Sequence, residues 1–498
     1  MAKLLHTLVL VFAAVSVQVG QSHAAALDDG RQLADGPGDQ SANQVVQWNR
    51  TLLVIVRTAG AQPATIHPTR SFAMVHAAIY DAVNAIDGTH TPYLVDLTPA
   101  SPSASLDAAA AAAAHRVLVS LYPAFQTMLD TQLQQALAQI PEAAGRAEGV
   151  NIGETVADRI LASRTGDGSD AQPIPFVFGN APGDYQSTPP NFPPQPQFTH
   201  WSAVVPFALQ RADQFRPGPP PALTSDAYGK DLSEVQALGV VDSTASSNDQ
   251  ALTGRFWNGP IQNYWNEIAQ TAVVHNNLTT PQSARLFALL DLTIADAVIA
   301  FYDAKYTYNF WRPVTAIRAA DMDSNPETLV DANWLPEVGN TTPDPAYPGA
   351  HGVVSAAGAT VLMSVLEKDQ LDYSVSSEVL PGVERSFQSF SAAAEEATLS
   401  RIFAGVHFRS DLTSGQALGG DVAHFVLDSI LTPVAGACVG DCNGSGAVTV
   451  DELLTMVNIA LGTGDSLSCS ASGAPQGGPI TIDAIVAAVN NALNGCPA

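Results

Sequence analysis

Lys305-Tyr-Thr-Tyr-Asn-Phe-Trp-Arg312-Pro313 opens the stretch on which the reading of this chain turns. Its lysine and arginine stand seven residues apart, two turns of an α-helix, so the spacing predicts both cations on one face and within reach of one anion. Downstream, Tyr347-Pro348-Gly349-Ala350-His351-Gly352 is a tight turn leading into a long apolar run. It predicts His351 near a helix start, where unpaired backbone N–H groups attract negative charge. Ser400-Arg401-Ile-Phe-Ala-Gly405-Val-His407-Phe-Arg-Ser-Asp411 follows, with His407 and Asp411 one helical turn apart, so that the carboxylate can orient the ring. Arg401 lies six residues before His407, off its helical face, which predicts a break near Gly405 that turns both inward.

Taken in order, K-x6-R-P, P-x-x-H and S-R-x3-G-x-H-x3-D resemble the vanadium-dependent haloperoxidases and the type 2 phosphatidic acid phosphatases, which share one phosphate-shaped site. Each part alone is commonplace, but the chain has only four lysines, Lys3, Lys230, Lys305 and Lys368, so the ordered set is specific. The resemblance implies a vanadate held by Lys305, Arg312, Gly349, Ala350 and Arg401. His407 would be the single protein ligand to vanadium, Asp411 or its neighbours would fix its other ring nitrogen, and His351 would be the acid–base group near the apical oxygen. The implied reaction is oxidation of halide by hydrogen peroxide to hypohalous acid, which then halogenates an organic acceptor.

The phosphatase alternative uses the same residues differently. His407 would attack phosphorus, giving an acid phosphatase that works through a phosphohistidine, and His351 would protonate the leaving group. Chain length, expected export and the helix at 70–86, which resembles the N-terminal helix of secreted bacterial haloperoxidases, favour the first branch. A third reading, an inert extracellular domain carrying a docking tail, leaves the concentration of scarce cations without a reason. Two positions depart from the family pattern. Gly349 and Ala350 stand where a serine and a glycine are usual, which removes a hydroxyl donor. Asp344, seven residues before His351, replaces an aromatic or imidazole group tied to halide selection, and a carboxylate there is expected to repel halide.

Composition is that of a well-buried globular protein, with 46% hydrophobic and 14% charged residues in 498. A net charge of −26 excludes nucleic acid and anionic membrane surfaces as expected partners. Lys3, the apolar stretch 4–19 and the small residues before 27 predict a secretory signal at 1–26, hence a secreted or periplasmic protein without a membrane anchor.

Helical periodicity is read at 43–58, 69–86, 104–121, 124–140, 144–163, 226–238, 264–275, 281–311, 352–367, 378–397 and 409–431. No convincing strand pattern interrupts it, so the expected fold is all-α, a large helical bundle over 27–435. His76 and Asp81 do not share a helical face and are read as packing groups. The proline- and aromatic-rich stretch 166–221 is too long for a plain connector and is read as a lid, a substrate wall or a wrapping loop.

Residues 436–498 change character. Asp441, Asn443, Ser445, Ala447, Thr449 and Glu452 occupy calcium-loop positions, with Gly446 at the sixth. The helix that follows recurs 32 residues later, where Gly473 and Ala484 replace the first and last acidic ligands, so one calcium is expected. The tail resembles a dockerin module, which implies a cohesin-like protein partner. All four cysteines, Cys438, Cys442, Cys469 and Cys496, lie in it, so disulfides would staple only the tail, in a pairing that spacing leaves open.

Overall fold

The computed structural model describes residues 43–97, 101, 103–142, 145–434, 438–443, 445, 447–464, 469 and 480–496. The expected signal at 1–26 and the domain boundary at 435/436 lie outside the described residues. Among those described, the chain is helical: α1 (Gln44–Arg57), α2 (Thr69–Asp87), α3 (Leu106–Leu121), α4 (Gln126–Ala138), α5 (Arg146–Ser163), α6 (Asp226–Leu238), α7 (Asn248–Phe256), α8 (Ile261–His275), α9 (Thr280–Tyr308), α10 (Pro313–Arg318), α11 (Ala350–Leu366), α12 (Phe390–Phe403), α13 (Arg409–Ser429), α14 (Val450–Ala460) and α15 (Ile482–Asn494). No single described helix is long and apolar enough to cross a membrane.

The bundle is built around α9. Its start is set by a capping box, Thr279 with Gln282, and its end by Asn309 in the left-handed region at φ 48°. From Leu286 to Tyr302 it is buried on every side, as the central helix of a bundle is. Helices α2, α11 and α13 pack against it. Two polar residues of α2 are held in place: Asp81 accepts the amides of Tyr93, Leu94 and Val95, and His76 accepts at Nε2 from Asn49 and stacks on Phe287. Their structural reading stands.

Two close helix contacts explain the small residues. The alanines at 108–114 in α3 are fully buried, because α5 brings Gly149 and Gly153 against them, where a Cβ would lie 2.4 Å from the carbonyl oxygens of Ser105 and Ala109. Helices α11 and α13 meet in the same way. A Cβ at Gly419 would lie 2.1 Å from the Val353 carbonyl oxygen, and one at Gly415 2.5 Å from that of Gly349.

One expected helix is wrong in part. The stretch 378–397 is not a single helix: an antiparallel hairpin of β1 (Gln370–Ser376) and β2 (Glu384–Ser389) pairs Tyr373 with Phe387 and leads into α12. Leu371, Tyr373 and Val375 alternate with exposed residues and turn inward, a period of two hidden between longer helical runs. The helices α7 and α10 were not expected. Apart from this hairpin the fold is all-α among the described residues.

The tail helices α14 and α15 share a core of Val448, Met456, Ile459, Ile480, Ala484 and Ala488. Disulfides join Cys438 to Cys496 and Cys442 to Cys469, which decides the pairing left open by spacing.

Candidate active site

Lys305 and Arg312 do come together, but not on one helix face. Helix α9 ends at Tyr308, Asn309 reverses the chain, and Arg312 becomes the residue that caps α10, with Pro313 at its first turn rather than breaking α9. Both side chains are buried and converge on Asp344. One carboxylate oxygen, Oδ1, receives Lys305 Nζ at 3.0 Å and Arg312 Nη2, while Gln197 Nε2 donates to Oδ2 at 3.1 Å. Arg312 Nε also donates to the Asp344 backbone oxygen at 2.8 Å, and Lys305 to the carbonyls of Pro345 and Ala346. Burial opposes ionisation of Asp344, but Lys305 and Arg312 outweigh it and hold the carboxyl below its ordinary value. Burial lowers Lys305 to about 8 against the pull of Asp344.

His407 lies in the turn between α12 and α13. Gly405, at φ 78°, makes the expected break, and a Cβ there would lie 2.2 Å from the Gly239 carbonyl oxygen. Asp411, in the first turn of α13, reaches back to accept from the Phe408 amide and from His407 Nδ1, each at 3.0 Å. This places the proton on Nδ1 and leaves a lone pair on Nε2, which accepts from Arg312 Nη1 at 3.0 Å. Burial, reinforced by Arg312, Lys305, Arg401 and His351, holds His407 well below its usual value, so the ring is neutral, as a ligand nitrogen must be. Burial pushes the Asp411 carboxyl up to about 7.

His351 is the second residue of α11, near a helix start as expected. Its Nε2–H donates to the Trp257 carbonyl at 2.7 Å, which leaves Nδ1 as the acceptor. Burial and then Arg401 keep it neutral. Arg401, near the end of α12, donates through Nη2 to Asn258 Oδ1 at 3.0 Å, while its Nε and Nη1 are buried without an acceptor among the described residues.

Arg312, Asp344, Ala350, His351, Arg401 and His407 line one cavity of about 370 Å³. Its opposite wall is aromatic, with Phe198, Phe301 and Tyr302, and includes His67, which burial pushes down to about 3 against an opposing pull from Asp344. A second cavity of about 340 Å³, walled by the proline-rich loop at Thr188–Pro193, meets the first at Asn258, Thr342 and Arg401. The long loop is therefore a wall of the site, through Gln197 and Phe198. Gly349 does not line the cavity. Its amide donates to the Asp411 carbonyl at 2.8 Å, and a Cβ would point at Leu412 Cδ2, 2.9 Å away. The expectation of Gly349 as an anion contact thus meets a position turned toward α13.

Sequence reading missed Asn258, Gln197 and His67. Asn258 follows α7, an unexpected helix, and no local pattern marks any of the three. What the site can do follows from its unanswered groups. Arg401 presents two buried donors that need an acceptor, in the same cavity as a neutral histidine whose Nε2 lone pair is held by Arg312 Nη1, so the residues present fit an oxyanion that takes the place of Arg312 on His407 Nε2.

In the tail, Asp441 Oδ1 accepts from the Ser445 amide at 2.8 Å, and Glu452 Oε1 from that of Asn443 at 3.2 Å. Glu452 Oε2 accepts from the Thr449 amide and hydroxyl at 2.8 Å. Asp441 and Glu452 are both buried, and Ala447 and Ser445 close the loop by a 3.1 Å hydrogen bond. Among the described residues no three His, Cys, Asp or Glu side chains gather to hold a metal, so a cation here would rest on two carboxylates plus amide, hydroxyl and backbone oxygens.

Residues 285–436, which hold Lys305, Arg312, His351, Arg401 and His407, match the VCPO second helical-bundle domain. The chain is 25% identical to a vanadium chloroperoxidase from Curvularia inaequalis over 77% of this chain and 81% of that protein. Among solved structures it is similar to the first bacterial vanadium-dependent iodoperoxidase, with a TM-score of 0.67 and 26% identity over 78% of this chain and 97% of that one. A holo-type bacterial vanadium-dependent chloroperoxidase shares the fold, with a TM-score of 0.56 and 18% identity over 72% and 90% of the two chains.

Proposed function

We propose that this chain is a vanadium-dependent haloperoxidase that oxidises halide with hydrogen peroxide to hypohalous acid on a vanadate held in the cavity of His407 and Arg401. The observation that carries the reading is the pair of buried Arg401 donors without an acceptor among the described residues, in one cavity with an unprotonated His407 Nε2 that accepts from Arg312 Nη1. When bound, vanadate supplies the Lewis acid that draws electron density from peroxide and makes it open to halide attack.

The chain's own residues do the rest. Asp411 holds the His407 tautomer, so the ligand nitrogen needs no proton loss before it binds. Arg401, Arg312 and Lys305, all buried, place positive charge beside the oxyanion. His351, neutral and with Nδ1 unprotonated, takes a proton from an incoming peroxide or water and returns it to the leaving oxygen. The aromatic wall of Phe198, Phe301 and Tyr302 offers an organic acceptor a surface next to the point of halide oxidation.

The test is one assay panel on purified protein: vanadate, peroxide and each halide, and p-nitrophenyl phosphate without vanadate. Halide oxidation that depends on vanadate is expected. Efficient phosphate ester hydrolysis without halide oxidation would replace this reading by the phosphohistidine one.

Two further parts of the proposal rest on the termini. The pattern at 1–26 supports export to the periplasm or beyond, read by mass spectrometry of the mature N-terminus. The loop from Asp441 to Glu452 is proposed to take one calcium, and a calorimetric stoichiometry of two or none would overturn it. The duplicated helices support a cohesin-like partner, which pull-down with such a domain would read.

A further inference from the structure

Asp344 is the feature of the cavity that the oxyanion reading does not use. It is a buried carboxylate on a wall built to attract anions, and one of its oxygens answers two of the three cations at once: Oδ1 lies 3.0 Å from Lys305 Nζ and is also hydrogen-bonded to Arg312 Nη2. Its other oxygen is held by Gln197 at 3.1 Å. A single atom shared between a lysine and an arginine does for those cations what one oxygen of a bound oxyanion would do. Only Arg401 is left with unanswered donors.

We propose that Asp344 is the pocket's resident counter-anion: it occupies Lys305 and Arg312 until an oxyanion competes for them, and so it sets how tightly this site holds its anion. The proposal rests on the reading of the cavity as an oxyanion site and not on which reaction follows. Its physical basis is a trade between two states of the same cations. Without an oxyanion, the carboxylate spares the fold two buried uncompensated charges. With one bound, the same carboxylate stands as a like charge at close range and lowers affinity. Asp344 is therefore a specificity-determining residue for the anion, acting against binding.

A purely structural role makes the opposite prediction. If Asp344 only positions Lys305 and Arg312, its removal loosens both donors and weakens every oxyanion.

The experiment compares the parent chain with Asp344→Asn and Gln197→Ala, each titrated calorimetrically with orthovanadate and with inorganic phosphate in the absence of peroxide. Thermal unfolding is followed with and without each anion. Asp344→Asn is expected to bind vanadate about tenfold more tightly or better. The variant should unfold at a lower temperature than the parent when no anion is present, and gain more than the parent when anion is added. Gln197→Ala, which removes a donor from Oδ2 but leaves the carboxylate charge and both cations in place, should bind vanadate no more tightly than the parent. If Asp344→Asn folds poorly alone, phosphate added during purification should rescue it, and failure of that rescue counts against the proposal. Affinity unchanged or weaker in a folded Asp344→Asn overturns the inference while the oxyanion pocket stands. Absence of vanadate and phosphate binding in the parent and both variants overturns the pocket reading and the inference together.

Discussion

At His407 the two ring nitrogens answer different groups, Asp411 on Nδ1 and Arg312 Nη1 on Nε2, whereas at His351 the Nε2 proton is tied to a backbone carbonyl. The two histidines should therefore separate by role. His407→Ala is expected to lose vanadate affinity itself, by a hundredfold or so if a ligand bond and its orienting hydrogen bond both go. His351→Ala is expected to keep vanadate within about tenfold and lose turnover. Equilibrium binding and kcat measured side by side check this, and the reverse pattern would exchange the two assignments. At this scale the sequence was informative about residue identity and poor about direction. Gly349 was expected to have cost a donor to the anion, yet the Cβ of a serine there would meet Leu412 rather than the cavity. Asp344 was expected to repel halide, and its pairing with Lys305 and Arg312 was not foreseen.

Helices α11 and α13 carry His351 and Asp411 in their first turns, so the distance between the two helices sets the width of the site. Gly419 allows that contact, since a Cβ would lie 2.1 Å from the Val353 carbonyl oxygen. Gly419→Ala is expected to push the helices apart, at a cost of about 1–3 kcal/mol of stability by overpacking and with weakened vanadate binding. Denaturant unfolding and calorimetry read both effects, and loss of neither would show that the contact is more compliant than its geometry. The long helices were legible because 3.6-residue periodicity persists over many turns. The hairpin was not, because each of its strands is short and α12 follows directly on the second. The two-turn spacing of Lys305 and Arg312 gave the right pair for the wrong reason: their meeting is made by the reversal at Asn309.

Across the whole molecule, α1, α2, α8 and α9 are joined by a buried polar network, with Asn49 between His76 at 2.9 Å and Asn266 at 2.6 Å, and Asn266 on Asp291 at 3.0 Å. Burial pushes Asp291 up to about 8 and His76 down to about 3, so both are neutral in the fold. Because the folded state holds the Asp291 proton more tightly than the unfolded chain, its stability contribution is full below about 4 and is lost as pH rises through about 8. The depressed His76 works in the opposite sense, and its stability cost grows as pH falls from about 6.5 toward about 3. The two cancel between about 4 and 6.5, which leaves a net loss above 6.5 from Asp291. Asp291→Asn is expected to remove about 2 kcal/mol of the loss between pH 6.5 and 8. Unfolding free energies of parent and variant across that range check it, and parallel curves would mean that Asp291 is ionised in the fold.

The sequence by itself determined the helical class, the order of the site residues and the identity of its cations and histidines, because periodicity and scarce charged residues are local properties that survive without a fold. Tertiary structure alone decided that Asp344 neutralises two of those cations, that Asn258 and Gln197 reach the same cavity, and that Gly349 faces away from it. Those facts depend on which distant segments meet, over separations of 143 residues for Arg401 and Asn258 and 147 for Gln197 and Asp344, and no spacing within one helix encodes a meeting of that kind.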